Sequence, residues 1–144
     1  MRVAVLAAVL LFAVLLFAVP VTAAERQKLD TLNPAQAISR AAAAAPKPVR
    51  ALFQFKVQSA AKTRGGYYLD SEKDFRSAAN LGVSIRPSAM PGLQKKYGAD
   101  LKAAFVGKAI KLIGQVRRVS VGKGGSATAT QVEVTHAGQI LSVS

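Results

Sequence analysis

From Val49 onward the apolar residues recur at every second position, and this change of period constrains the fold more than any other feature. Leu52-Phe53-Gln54-Phe55-Lys56-Val57-Gln58 puts Phe53, Phe55 and Val57 on one face of an extended strand and Gln54, Lys56 and Gln58 on the other. That is the pattern of a sheet with one wet face. Lys62-Thr63-Arg64-Gly65-Gly66 reads as a turn into a second strand, Tyr67-Tyr68-Leu69. Asp70 to Asn80 is a polar connection, after which Leu81, Val83 and Ile85 alternate with Gly82, Ser84 and Arg86 until Pro87 stops a third strand. Met90, Leu93, Tyr97, Leu101 and Phe105 then follow at spacings of three or four, one apolar helical stripe. Gly98 as a C-cap and Asp100 as an N-cap predict a break into two short helices. Ile110, Leu112 and Val116 share a face of a fourth strand opposite Lys111, Gln115 and Arg117, with a bulge or bend expected at Gly114. Lys123-Gly124-Gly125-Ser126 is a loop, Thr128–Thr135 a fifth strand, and Ile140–Val143 a short last one.

The chain before Val49 reads differently. Met1 and Arg2, the unbroken apolar run Val3 to Val19, and the small residues Val21-Thr22-Ala23-Ala24 are the three parts of a secretory signal peptide over residues 1–24. An uncleaved membrane anchor is the alternative, but a helix over the run would measure roughly 25 Å, short of the ~30 Å hydrocarbon core. The protein is therefore expected to be exported, periplasmic or secreted, with a membrane involved only through an uncleaved signal. Residues 25–48 offer few large apolar side chains. Asn33-Pro34 opens a helix through Ala35–Ala45 that Pro46-Lys47-Pro48 ends, and its thin apolar face predicts a linker or a loosely docked helix.

Composition removes several chemistries. With no cysteine there is no disulfide scaffold, thiolate metal site or thiol nucleophile, and a single histidine allows no histidine cluster. The 20 Lys+Arg against 7 Asp+Glu give a formal net charge of +13, which points toward an acidic partner.

Three strands, a helix and two strands in residues 49–144 predict a mostly β domain. A five-stranded Greek-key barrel with a helix between strands three and four is the OB-fold arrangement. An open antiparallel sheet with one helix across it is the competing fold. Leu69-Asp70-Ser71-Glu72-Lys73-Asp74-Phe75-Arg76, the Leu81–Ile85 strand and Gly107-Lys108-Ala109-Ile110-Lys111-Leu112-Ile113-Gly114-Gln115-Val116 resemble small exported bacterial OB-fold domains. The resemblance spans about Val49 to Val143 and implies the barrel. It says little about ligand, because such folds bind single strands, sugars and proteins alike. The glycine-rich, basic Gly122–Ser126 turn departs from the family's more acidic one.

Asp70-Ser71-Glu72-Lys73-Asp74 is the only acidic cluster. A calcium loop would need glycine at its sixth position and an acid at its twelfth, where Phe75 and Leu81 stand. The expectation is a salt-bridged loop with Phe75 plugging the barrel end, and no metal or cofactor. A metal-dependent phosphodiesterase using Asp70, Asp74 and Arg76 is the third function reading. His136 has no evident carboxylate orienter, since Glu133 lies on the opposite strand face, and no serine sits in a nucleophile elbow. The expectation is a non-catalytic module. Lys56, Lys62, Arg64, Arg86, Lys111, Arg117 and Lys123 fall on outward strand positions or in the loops that flank an OB groove, and of Tyr67 and Tyr68 one must face outward to stack a base. The partner expected first is an acidic polymer, single-stranded nucleic acid ahead of an anionic envelope polymer. An envelope protein- or glycan-binding module is the alternative.

Overall fold

The computed structural model of the protein describes residues 28–144, and the segment read as an export signal lies outside them. The elements are β1 (Thr31–Leu32), α1 (Pro34–Ala44), β2 (Val49–Lys56), β3 (Ser59–Lys62), β4 (Tyr67–Asp70), β5 (Leu81–Ile85), α2 (Met90–Tyr97), α3 (Leu101–Phe105), β6 (Ala109–Val121), β7 (Ala127–Val134) and β8 (Ile140–Val143). The described residues are mostly β, an eight-stranded mixed sheet with three α-helices.

Asn33 starts α1 through a reciprocal cap. Its Oδ1 accepts from Gln36 N at 2.9 Å, and Gln36 Oε1 accepts from Asn33 N at 3.0 Å, which satisfies two amides the helix itself leaves free. The alanine-rich segment is not a tether. Ala37 and Ala41 are fully buried, and α1 packs against β2, β5, β6 and β7. A face of alanines lets helix and sheet approach closely, so small side chains seat this helix although each buries little area.

The hydrogen-bonded path runs β1-β2-β6-β7-β5-β4-β3, with β8 also on β6. β1 with β2 and β5 with β7 are parallel pairs, and the other ladders are antiparallel. The strand expected from Leu52 to Gln58 begins earlier, at Val49, and is succeeded by β3 after a change of partner. Val57 N donates to Lys108 O at 2.9 Å, whereas the next amide, Gln58 N, donates to Asp70 O at 2.9 Å. No ladder joins β3 to β1 or β2 among the described residues, so the path stays open where a closed five-stranded barrel was expected. Two further strands arise from pairing the sequence pattern barely signals: β1 against β2 across α1, and β3 against β4.

β6 is longer than its apolar period suggested. Ala109–Val116 pairs with β2 along one edge; on the other edge β8 occupies Ile110–Leu112 and β7 takes Val116–Val121. The ladder with β2 runs through Gly114 without interruption, so the bulge expected there is absent. Glycine is needed for a different reason: a Cβ would lie 2.8 Å from Val132 Cγ1, inside contact distance. The core joins Phe53, Leu69, Leu81 and Ile110 from the sheet with Leu93, Leu101 and Phe105 from the helices. Gly98 and Asp100 divide α2 from α3 as the sequence implies, Asp100 Oδ1 accepting from Ala103 N at 3.3 Å. Tyr97 and Phe105 meet across that break with ring centroids 5.2 Å apart at a 59° tilt.

Candidate functional site

Register decides which outward side chains are neighbours, because directly opposed residues project on the same side of a sheet. On β2 the outward residues are Arg50, Leu52, Gln54 and Lys56; Arg50 stands opposite Gln115, Gln54 opposite Lys111, and Lys56 opposite Ala109. Arg117 is the next outward residue on β6 after Gln115, hence diagonal to Arg50 at about 7–8 Å between Cα atoms. Arg117, Arg50, Lys111 and Lys56 thus form a cationic stripe along two strands, roughly 26 Å from end to end at the rise of extended chain. The ion pairs among the described residues are Arg40–Asp30 at 2.9 Å, Arg76–Asp74 at 3.3 Å and Arg86–Glu133 at 3.5 Å. None involves a member of the stripe.

A groove of about 380 Å³ opens at the Arg50 end, lined by Arg50, Ile113, Gly114, Gln115, Arg117, Glu133, Thr135, His136 and Gln139. Its origin is a parting of strands. The ladder between β6 and β7 begins only at Val116 and Val132, and the groups freed beyond that point are met by the buried Gln139. Gln139 Oε1 accepts from Thr135 N at 2.7 Å, from Thr135 Oγ1 at 3.2 Å and from His136 N at 3.3 Å; its Nε2 donates to Ile113 O at 3.1 Å and Glu133 O at 3.0 Å. One amide side chain replaces a stretch of ladder, as buried backbone groups require. His136 and Glu133, placed on opposite faces by simple alternation, both line this groove because β7 ends at Val134 and the chain turns.

The same face continues across the sheet. Glu133 stands opposite Ser84, and Ser84 opposite Tyr68, so Tyr68 lies two strand spacings, about 10 Å, from Glu133. Tyr68 is 37% exposed, whereas Tyr67 is 9% exposed and part of the core. Tyr67 is therefore removed from the candidate site: it opposes Ile85 on the inward row and cannot stack a ligand. Arg86 reaches Glu133 across the surface, and both side chains are well exposed, so this pair holds little energy.

Lys62, Arg64 and Lys123 do not converge with the stripe. Lys62 opposes Tyr67 at the end of β3, and Arg64 sits in the turn closed by Thr63 N on Gly66 O at 3.0 Å. That turn adjoins the row of Ile85 and Val134; Lys123 caps the β6–β7 hairpin beyond Ala127, roughly 23 Å away along β7. Two loops expected to flank one groove stand at opposite ends of the sheet.

The acidic connection is engaged with itself. Asp70 is 7% exposed; its Oδ1 accepts from Asn80 Nδ2 at 2.9 Å and its Oδ2 from Ser59 Oγ at 3.5 Å. Burial raises its pKa above the ordinary 3.8, against the pull of those two hydrogen bonds. Asn80 also donates to Phe75 O at 3.2 Å and accepts from Glu72 N at 3.1 Å, and Leu81 N donates to Ser71 Oγ at 2.8 Å. Asp74 is exposed, and hydrogen bonds from the backbone and side chain of Arg76 hold its pKa below 3.8. No three His, Cys, Asp or Glu side chains converge among the described residues. Phe75, expected to plug the barrel end, is instead 66% exposed, and the helices supply Leu93, Leu101 and Phe105 to the core.

Sequence reasoning missed Arg50, Gln139 and the exposure of Phe75. Arg50 was within reach: carrying the alternation back from Gln54 to Val49 puts it on the wet face. Gln139 and Phe75 left no such trace.

No family model matches the chain, and no curated protein matches it in sequence. An aspartyl-tRNA synthetase chain from Leishmania major Friedlin is similar in structure over 81% of this chain and 21% of its own length, with 8% identity and a TM-score of 0.43. The chain spans about a fifth of that neighbour's length. A likeness at that level supports no functional argument.

Proposed function

We propose that the chain is an exported, non-catalytic OB-type module that binds an acidic polymer, with single-stranded nucleic acid as its ligand. Taking β2 and β3 as one strand that changes partner, the order β2/β3, β4, β5, helices, β6, β7 matches the five-stranded, partly open Greek-key arrangement. The export signal rests on residues 1–24 alone. One observation carries the ligand reading: Arg50 and Arg117 line a groove and form no ion pair among the described residues, Glu133 of the same groove being paired with Arg86, and they stand at the head of a cationic stripe on the same face as the exposed Tyr68. Unanswered cations in a row neutralise phosphates and release counterions, so affinity is salt-dependent and weakly sequence-specific.

Fluorescence anisotropy of labelled single-stranded and duplex DNA over a salt series tests this. The expected result is preference for the single strand and a steep salt dependence. Arg50→Ala combined with Arg117→Ala then flattens the slope of log K against log salt by about 1.4, at ~0.7 per phosphate for single strands. An unchanged slope sinks the assigned face. Binding to anionic glycans with no preference for nucleic acid turns the reading to an envelope polymer.

A further inference from the structure

We infer that Phe75 is the base-stacking residue of this interface, the side chain that makes the module select unpaired bases over duplex. This rests on the nucleic-acid reading above and adds to it a residue and a basis for discrimination. Exposure alone would carry little, since single apolar side chains are common on surfaces. Three further observations converge on the same ring.

The first is that the ring is presented by a fastened loop. Asn80 ties Phe75 O to the buried Asp70 carboxylate, and Ser71 Oγ accepts from Leu81 N at the loop's base. A phenyl group held out in this way, 66% exposed, adds nothing to the core. The second is the neighbouring charge. Arg76 Cζ lies over the ring 5.8 Å from its centroid, and its Nε donates to Asp74 Oδ1 at 3.3 Å. Arg76 is already paired with Asp74, so what it lends the ring is a cation–π contact, while the ring stays 66% exposed as a stacking surface. The third is position. The loop springs from Asp70, whose row across the sheet runs through Gly82 and Gln131 to Arg117. That row spans three strand spacings, about 14 Å, and ends on the cationic stripe. Gly82 contributes no side chain to it. Gly82 and Asp70 are both buried at the foot of the loop, so a single strand lying on Arg50 and Arg117 would follow Gln131 and the exposed residues of the loop to bring a base to Phe75. Bases in a duplex are already stacked and paired, and they offer the ring no face.

The test compares wild type, Phe75→Ala, Phe75→Tyr and the Arg50→Ala/Arg117→Ala protein on three labelled probes: oligo-dT, an abasic oligonucleotide of equal length, and duplex DNA. Phe75→Ala should weaken oligo-dT binding by about 10-fold, leave the abasic and duplex affinities unchanged, and keep the salt slope. Phe75→Tyr should restore dT binding, which separates stacking from any disturbance of the loop. The arginine variant should weaken all three probes. If Phe75→Ala binds oligo-dT as wild type does, the inference falls while the polyanion reading stands. Equal wild-type binding to oligo-dT and the abasic probe has the same meaning. Wild type that binds none of the probes overturns both. Sedimentation velocity covers the remaining outcome: a wild-type dimer that Phe75→Ala converts to monomer would make this ring a contact with a second copy, and would overturn the stacking role.

Discussion

The Ser71–Asn80 loop and the outer face of β2 and β6 treat charge in opposite ways. In the loop, acid and base lie close in sequence and are consumed locally: Asp74 takes Arg76, and Asp70 takes Asn80 and Ser59. Every buried side-chain nitrogen and oxygen among the described residues has a partner. Along β2 and β6 the cations come from separate strands, and among the described residues no carboxylate forms an ion pair with Arg50, Arg117, Lys111 or Lys56. A charge met inside the protein is withdrawn from ligands, and one left unanswered at the surface is available to them. The formal +13 is therefore less informative than where those charges remain unpaired.

Substitutions in the two regions should separate accordingly, stability moving in one and binding in the other. Asn80→Ala should have the largest effect. It leaves the buried Asp70 Oδ1 without its closest donor and frees Phe75 O and Glu72 N. A loss of about 2–4 kcal/mol in denaturant unfolding is expected, because hydrogen bonds to charged groups exceed neutral ones and a buried partner is left unsatisfied. A loss under 1 kcal/mol would mean the loop does not depend on this residue. Gln139→Ala comes next, at roughly 1–3 kcal/mol, with groove water meeting some of the groups it serves. Thermal unfolding measures it, and hydrogen exchange should rise at Thr135 and His136, whose amides lose their acceptor.

A smaller effect concerns pH. Burial raises the pKa of Asp70 in the folded protein above 3.8, so the folded state holds this proton more tightly than the unfolded chain does. The stability it contributes is fully present below 3.8 and is lost as pH rises through the folded pKa. Asp74, with its pKa lowered, works the other way: its contribution is present above 3.8 and is lost as pH falls through its folded value. Asp70→Asn should therefore remove a decline in stability with rising pH just above 3.8, read as the difference between the urea midpoints of variant and wild type across that window. Identical pH profiles for the two proteins would place the carboxylate in water. The smallest stability change belongs to Arg50→Ala with Arg117→Ala, within about 0.5 kcal/mol of wild type by the same unfolding measurement. That variant is also the one expected to lose salt-dependent binding. A large drop in its stability would dissolve the distinction between the two regions.

Much of the fold was legible because it depends on period and punctuation. Alternation located the strands around Phe53, Val83 and Leu112, glycine-rich turns set off those around Leu69 and Val132, and spacing by three or four located the Met90–Phe105 helices. Asn33, Gly98 and Asp100 marked helix ends by chemistry that acts within a few residues. The wet-face cations Lys56, Lys111 and Arg117 followed from the same alternation. These features are local, and a linear chain carries them openly.

What needed the third dimension was every decision about partners. That Tyr67 turns in and Tyr68 out depends on the register of β4 against β5, which either parity of the pair Tyr67-Tyr68 would have allowed. That alanines at positions 37 and 41 suffice to dock a helix depends on how closely the sheet can approach. Gln139 occupies the gap between β6 and β7 only because those strands part where β8 also claims an edge of β6. Phe75 is left in solvent while Leu93, Leu101 and Phe105 enter the core, a choice no local pattern announces. By itself the sequence determined which segments extend, which coil and which faces are wet, since those follow from steric preference and hydrophobic period over a few residues. The tertiary structure alone decided which cations stay unanswered and which ring stays exposed, because pairing and burial are properties of residues far apart in the chain and adjacent only after folding.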